Sequence, residues 1–222
     1  FITPSEFLKK KLSLNGFEEK RIHCIPTFTA SKTTIGKQQI GSYGLYFGRV
    51  TEEKGVETVI KAYEKLPEYT VKIMGDDTTD EAKRLKKYVE NHKMKNVEFL
   101  GFKSGAELEN VIKGARFTLI PSIWYDNLPN TALESFQYSK PVIASNIGSL
   151  PELVIDGENG YLFKPSNVED LIKKIKMLDD DTLVKKMGQA SRKRLESRFA
   201  PQTHYEDSVS YTHLTLPTIC SV

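Results

Sequence analysis

Two cysteines in 222 residues, Cys24 and Cys220, are too few and too far apart for a disulfide framework. His23, His92 and His204 stand isolated, and no Cys/His spacing matches a metal site. Asp179-Asp180-Asp181 contains an Asp-x-Asp pair, but it falls between two predicted helices and reads as a helix cap and turn. No apolar stretch approaches the ~20 residues needed to cross a bilayer, and the start lacks a signal-peptide pattern. A reducing cytoplasm is the expected compartment. No two glycines lie two residues apart, so the Gly-x-Gly-x-x-Gly turn of dinucleotide-binding oxidoreductases is missing, and so is the Gly-x-x-x-x-Gly-Lys-Ser/Thr loop of nucleotide triphosphatases. The net charge of +3 is small and its basic residues are interleaved with acidic ones, which argues against a nucleic-acid partner.

What the chain does contain is a rhythm. From residue 41 onward short apolar runs alternate with amphipathic segments: Gly44 to Phe47, Val56 to Leu66, Thr70 to Met74, Ala82 to Val89, Val97 to Leu100, Leu108 to Ile112 and Ala115 to Ile120. This predicts an α/β fold, a Rossmann-like parallel sheet with helices on both faces. Later strands are expected at Pro141 to Ala144 and Tyr161 to Phe163, and helices at Val168 to Leu178 and Thr182 to Ser197. Thr3/Glu6, Thr78/Glu81, Ser104/Glu107 and Ser166/Glu169 have the spacing of reciprocal capping boxes. Thr3 to Glu6 opens a helix that Gly16 can close, followed by a short strand at Arg21 to Ile25 and a linker. Residues 208–222 carry no Asp, Glu, Lys or Arg and are rich in Thr, Ser and β-branched residues, which reads as a terminal strand or as a non-native tail resembling translated adapter sequence.

Two loops carry candidate chemistry. After the strand ending at Phe47, Arg49 and Lys54 flank a strand-to-helix loop, where a guanidinium fork and a mobile ammonium suit a diphosphate. The alternative for Arg49 is a salt bridge to Glu52 or Glu53. After Ala115 to Ile120 comes Ser-Ile-Trp-Tyr-Asp-Asn-Leu-Pro-Asn-Thr-Ala-Leu-Glu, residues 122–134, with a helix expected from Asn130 to Tyr138 and Pro129 in its first turn. The amides of Asn130 and Thr131 would face an incoming anion at the carboxyl end of a strand. Glu134 can accept hydrogen bonds from a vicinal diol such as a ribose, and Asp126 from hydroxyls of a sugar beyond the phosphates. Equally, Glu134 reads as an ordinary helix residue and Asp126 as a turn former. Trp124 and Tyr125 read first as packing residues and second as pocket lining.

In order along the chain, Gly48-Arg49 with Lys54-Gly55, Asn96 to Phe102, Leu119 to Glu134, Lys140 to Ser145, Gly148 to Glu152 and Asp156 to Gly160 resemble one family. It is the carboxyl-terminal, donor-binding half of a GT-B fold, retaining glycosyltransferase of the GT4 type, and the resemblance runs from about residue 5 to 207. Asp126 and Glu134 fall on that family's two acidic positions separated by seven residues. The resemblance implies that Glu134 binds the donor ribose, that Arg49 and Lys54 bind the diphosphate, and that Asp126 meets the transferred sugar near the reacting carbon. Arg49, Lys54 and Asp126 are thereby the catalytic candidates, and Phe102, Lys103, Asn130 and Thr131 complete the donor site. Two positions depart from the pattern: aspartate replaces the usual glutamate at 126, one methylene shorter, and Thr27 stands where asparagine is common.

By the same resemblance, residues 1–22 are the end of an acceptor domain that is mostly missing and 23–42 an interdomain linker. Residues 43–194 form the nucleotide-sugar donor-binding domain, 195–207 a crossover helix region and 208–222 the non-native tail. A chain beginning with Phe1 is expected to be a fragment, and alone to bind donor without efficient transfer. The implied reaction moves a sugar from a UDP- or GDP-linked donor to a glycan or lipid-linked acceptor, metal-independently and with retained anomeric configuration. No cofactor is expected, and the location is cytoplasmic with peripheral contact at the inner membrane face. A non-catalytic nucleotide-sugar binding module and a sugar-nucleotide epimerase of similar fold are the alternatives.

Overall fold

The computed structural model describes residues 1–29 and 39–215. Strands β1 (Ile2–Thr3) and β2 (His23–Cys24) pair in parallel and flank helix α1 (Glu6–Leu14). The main sheet holds β3 (Tyr43–Phe47), β4 (Thr70–Met74), β5 (Val97–Gly101), β6 (Ala115–Ile120), β7 (Val142–Ser145) and β8 (Gly160–Phe163). Between and after them run α2 (Val56–Glu64), α3 (Asp80–Asn91), α4 (Gly105–Gly114), α5 (Asn130–Gln137), α6 (Leu150–Leu153), α7 (Val168–Lys176), α8 (Asp181–Arg198) and α9 (Pro201–Thr215). The sheet order is β5-β4-β3-β6-β7-β8 and every pairing is parallel. The chain therefore winds outward from β3 to β5, then returns to β6 on the other side of β3. Between the carboxyl ends of β3 and β6 the direction of winding reverses, and this opens a crevice.

Period-two alternation puts helices on both faces. On β3, Tyr46 packs with Val59, Leu85 and Leu171 on one face, while Leu45 and Phe47 join Ile112 and Tyr138 on the other. On β7, Ile143 belongs to the first face, and Val142 and Ala144 to a cluster with Leu133, Phe136, Leu150 and Leu195. Burying each such side chain contributes about 1.5–3 kcal/mol. Helix α8 is 18 residues long and feeds both sides, with Val184 and Met187 in the first cluster and Leu195 in the second.

The amino-terminal edge of the sheet is closed by two buried polar side chains, Lys140 and Asn159, and a half-buried one, Asn96. Lys140, 1% exposed, donates to the carbonyls of Gln39 (2.7 Å), Lys113 (2.6 Å) and Ala115 (2.7 Å). Burial pushes its ammonium down to about 8, and three carbonyl acceptors oppose that push by favouring the charged form. Asn96 Nδ2 reaches the carbonyls of Tyr63, Leu66 and Tyr69 at 2.8–3.0 Å, tying the end of α2 to the start of β5. Asn159, fully buried, accepts from Ile155 N–H (2.7 Å) and donates to the Leu153 carbonyl (3.1 Å).

The element positions follow the sequence rhythm, and the corrections are local. The N-caps of α1, α3 and α7 are Ser5, Thr79 and Asn167, each accepting a backbone N–H, rather than Thr3, Thr78 and Ser166 one or two residues earlier. Ser104 does cap α4 by position but makes no side-chain cap bond. Several cap-competent residues stand side by side at these starts, and packing of the helix against the sheet selects among them. Arg21 is the end of a 3-10 turn (Glu19–Arg21), so the expected strand shrinks to His23–Cys24. Pro129 is the N-cap of α5 rather than a residue of its first turn. The segment 208–215 continues α9 as helix, not as a terminal strand. Of the linker reading of 23–42, residues 30–38 lie outside the described residues, as do 216–222 of the tail. Asp180 caps α8 through Thr182 N–H (2.8 Å).

Helix α1 docks on the main domain. The Glu152 carboxylate accepts the N–H groups of Glu6 (2.9 Å) and Phe7 (2.6 Å) at its positive end, and Ser5 Oγ donates to Asn127 Oδ1 (2.7 Å). At the other end of the chain, Thr29 N–H donates to the Phe199 carbonyl (3.3 Å), and His204 Nδ1 lies 2.8 Å from the Pro26 carbonyl oxygen.

Candidate active site in the sheet crevice

Strand β3 releases the chain at Gly48, and Arg49 leaves it exposed. A 3-10 turn, Glu52–Lys54, then leads through Gly55 into α2. Gly55 adopts φ 67°, and a Cβ there would lie 2.1 Å from the Pro121 carbonyl oxygen, so only glycine lets this turn lie against the exit of β6. The Glu53 carbonyl accepts Ile123 N–H (3.0 Å) and fixes the contact. As a result two loops that are distant in sequence share one surface.

Glu53 takes a hydrogen bond from the Thr51 hydroxyl (2.7 Å), which, with the Arg49 and Lys54 charges, holds its carboxyl below the usual range. Arg49 itself makes no hydrogen bond or ion pair through its side chain among the described residues, so the salt-bridge alternative to Glu52 or Glu53 does not form. Lys54 is engaged: its Nζ lies 2.5 Å from Asp126 Oδ1, with both side chains about one-fifth exposed (21% and 18%). The other Asp126 oxygen, Oδ2, accepts from Ser122 Oγ. Asp126 is thus gripped at both oxygens.

The loop carrying Asp126 is braced from behind by the end of the β7–α6 connection. Ser149 Oγ accepts Leu128 N–H (2.7 Å) and donates to the Asp126 carbonyl (2.7 Å). Leu128 holds φ 54° with its side chain 4% exposed, a strained backbone stabilised by that burial and bond. Gly148, at φ 63°, brings its backbone close enough that a Cβ would stand 3.0 Å from the Asp126 carbonyl oxygen. The Gly148 to Glu152 motif therefore acts as scaffold for the site.

Helix α5 begins at Asn130 with no side-chain cap, which leaves the amides of Asn130 and Thr131 without partners among the described residues. The first turn of an eight-residue helix thus offers its N–H groups to the crevice. Glu134 follows about one turn on, half-buried, and burial raises its carboxyl above the ordinary range. No hydrogen-bond partner meets it among the described residues.

Two cavities meet here. One, of about 300 Å³, is lined by Phe47, Gly48, Arg49, Gly75, Phe102, Lys103, Leu108, Thr131 and Glu134, among others. The other, of about 250 Å³, is lined by Tyr46, Arg49, Lys54, Ser122, Asp126, Asn127, Asn130 and Thr131, among others. They share Phe47, Gly48, Arg49 and Thr131, so Arg49 stands at the junction. All eight residues singled out in the sequence (Arg49, Lys54, Phe102, Lys103, Asp126, Asn130, Thr131 and Glu134) line one cavity or both. Phe102 is 74% exposed, an open aromatic face at the rim of the first cavity.

Ser122, Asn127 and Asp76 also line the crevice and were not singled out. Asp76 follows β4, and Ser122 follows β6; listing every residue just beyond a strand's carboxyl end would have found both. Trp124 and Tyr125 line neither cavity. Trp124 is 69% exposed, and Tyr125 packs against Phe7 with ring centroids 5.0 Å apart. Among the described residues no group of three or more His, Cys, Asp or Glu side chains is placed to hold a metal, and no helix is long and apolar enough to cross a membrane.

The family model for glycosyl transferases group 1 matches residues 31–194. An uncharacterized glycosyltransferase of Methanocaldococcus jannaschii is 32% identical over 149 residues, covering 67% of this chain and 41% of that protein. A glycogen synthase of Mycobacterium tuberculosis is 31% identical over 186 residues, covering 79% and 42%. The chain thus spans about two fifths of the length of these curated relatives. Among solved structures, a glycosyltransferase from Rickettsia africae superposes with TM-score 0.88 at 20% identity over 98% of this chain and 63% of that one. Anabaena HepE in complex with UDP and glucose gives TM-score 0.84 at 20% identity, covering 97% and 62%. Both likenesses are of fold, and both are to GT-B glycosyltransferases.

Proposed function

This chain belongs to the glycosyl transferases group 1 family, and on that premise we propose that it is the donor-binding half of a retaining, GT4-type enzyme that transfers a sugar from a UDP- or GDP-linked donor. One observation carries the reading. Two cavities joined at Arg49 set an exposed aromatic ring and an unpaired carboxylate on one side, Phe102 and Glu134, and Lys54 with Asp126 on the other. Base, ribose, diphosphate and sugar have the same linear order.

Phe102 and Lys103 receive the base, and Glu134 accepts from the ribose diol. Raising of its carboxyl by burial suits a group that waits for hydrogen-bond donors from the ligand. Arg49, Lys54 and the amides of Asn130 and Thr131 bind the diphosphate, each charge-assisted hydrogen bond contributing about 1.5–3 kcal/mol. As the sugar leaves, the charge that grows on the diphosphate meets these same donors, which makes them catalytic as well as binding groups. Asp126 holds the transferred sugar. Cations and helix amides supply the stabilisation without a metal, and no cofactor is needed.

Residues 43–194 form the donor domain, 1–22 belong to the acceptor domain, and 23–42 and 195–207 connect the two. The acceptor, a glycan or lipid-linked sugar, sits on that other domain, so this chain alone binds donor without efficient transfer. Holding acceptor and donor in near-attack geometry contributes up to ~7–11 kcal/mol. The working location is the cytoplasm, at the inner membrane face where acceptors are lipids. Metal-free calorimetric titration with UDP, GDP and their glucose and mannose conjugates tests the reading. One nucleotide should bind, and Glu134→Ala should weaken it at least tenfold. Absence of binding in folded protein would overturn the donor assignment.

A further inference from the structure

The two cations assigned to the diphosphate differ in their present state. Arg49 is unpaired among the described residues, while Lys54 Nζ already holds Asp126 Oδ1 at 2.5 Å. An anion entering the crevice must therefore compete with Asp126 for Lys54. Asp126, once released by Lys54, would be free to turn away were it held by nothing else. It is held, because Oδ2 accepts from Ser122 Oγ and Ser122 is 1% exposed on the rigid exit of β6. Its backbone is held as well, by Ser149 at the Asp126 carbonyl.

We propose that Lys54 and Asp126 form a donor-operated exchange, with Ser122 as its positioning residue. The diphosphate draws Lys54 off the carboxylate, and Ser122 keeps the freed Oδ1 aimed into the cavity, where it accepts a hydroxyl of the sugar. The site then has its sugar-binding carboxylate available only when the phosphates are seated. Aspartate at this position suits the arrangement, because its shorter arm is spanned by Ser122 on one side and Lys54 on the other. This inference rests on the donor-site reading above and adds to it an opposing sign. A group that helps the sugar should hinder the bare nucleotide.

The test is calorimetry on the full chain with whichever of UDP or GDP binds wild type, and with its glucose and mannose conjugates. Asp126→Asn is isosteric and removes the negative charge that holds Lys54, so it should bind the bare nucleoside diphosphate roughly tenfold more tightly than wild type. In a Lys54→Gln background the same substitution should give no gain, a coupling that a purely structural effect would not produce. Ser122→Ala should lower the ratio of conjugate to bare-nucleotide affinity about threefold or more, and Ser122→Thr, which keeps the hydroxyl, should restore it. The exchange is overturned if Asp126→Asn binds the bare nucleotide no better than wild type, or if the gain survives in Lys54→Gln, while the donor reading then stands. An unchanged ratio in Ser122→Ala overturns the positioning role. If wild type binds none of the nucleotides, the donor reading itself fails, and the exchange with it.

Discussion

The two edges of the six-stranded sheet treat polar groups in opposite ways. At the amino-terminal edge, the side chains of Lys140, Asn96 and Asn159 are hydrogen-bonded to carbonyls and amides of the chain itself. At the carboxyl-terminal edge, Arg49, Glu134 and the first amides of α5 face a crevice with no partner among the described residues. Saturated polar groups fix a backbone, and unsatisfied ones invite a ligand. Motifs that resemble one family together therefore do different work: Lys140 to Ser145 and Asp156 to Gly160 begin at the structural edge, whereas Gly48 to Gly55 lies at the chemical one.

Lys140→Met has the largest expected effect. It leaves the Ala115 carbonyl of a buried bond and the Gln39 and Lys113 carbonyls of two part-buried bonds without their donor, so a loss of about 3 kcal/mol is expected in urea unfolding. A loss under 1 kcal/mol would show that water takes over the role. Arg49→Ala should have an effect of about 1.5–3 kcal/mol on nucleotide binding and stay within about 0.5 kcal/mol of wild type in stability. A large stability loss there would blur the two edges. Asn96→Ala should cost about 1–2 kcal/mol of stability and leave the Kd for the nucleotide in place, which paired melts and titrations would check.

The smallest effect concerns Glu134. Burial raises its folded carboxyl above the ordinary 4.5, so the folded chain binds the proton more tightly than the unfolded one. Its contribution to stability therefore falls as pH rises from about 4.5 through the raised value. Glu134→Gln should flatten that slope and be the more stable protein at pH 7, as melting curves across pH 4 to 8 would read. A steeper slope in Glu134→Gln would contradict the burial account.

The fold was legible because its signals are local. Ala115–Ile120 and Thr70–Met74 read as short, largely apolar runs and fold as the strands they suggest. Each candidate residue, taken singly, read equally well as a turn, salt-bridge or helix residue, and it is their convergence on the two cavities that sets them apart. What could not be read was pairing across distance. The Lys54–Asp126 contact joins residues 72 apart and depends on how Gly55 seats one turn against Pro121. Nothing in the sequence marks Ser122 or Ser149, and only tertiary geometry shows them as braces of the Asp126 loop. For residues 208–215 the β-branched composition allowed a terminal strand beside the non-native tail reading, and the segment is helical, a weak propensity overridden by context.

Helix α8 gives the molecule one last property. Its first half packs into the cluster on one face of the sheet and its second half into the cluster on the other, so neither layer can lose its partners alone. Melting should accordingly be a single all-or-none transition, with amides of α5 and α7 exchanging through the same global opening although they cover opposite faces. A crevice between β3 and β6 inherits that unity. Its two walls, one led by Arg49 and one by α5, belong to the same cooperative unit.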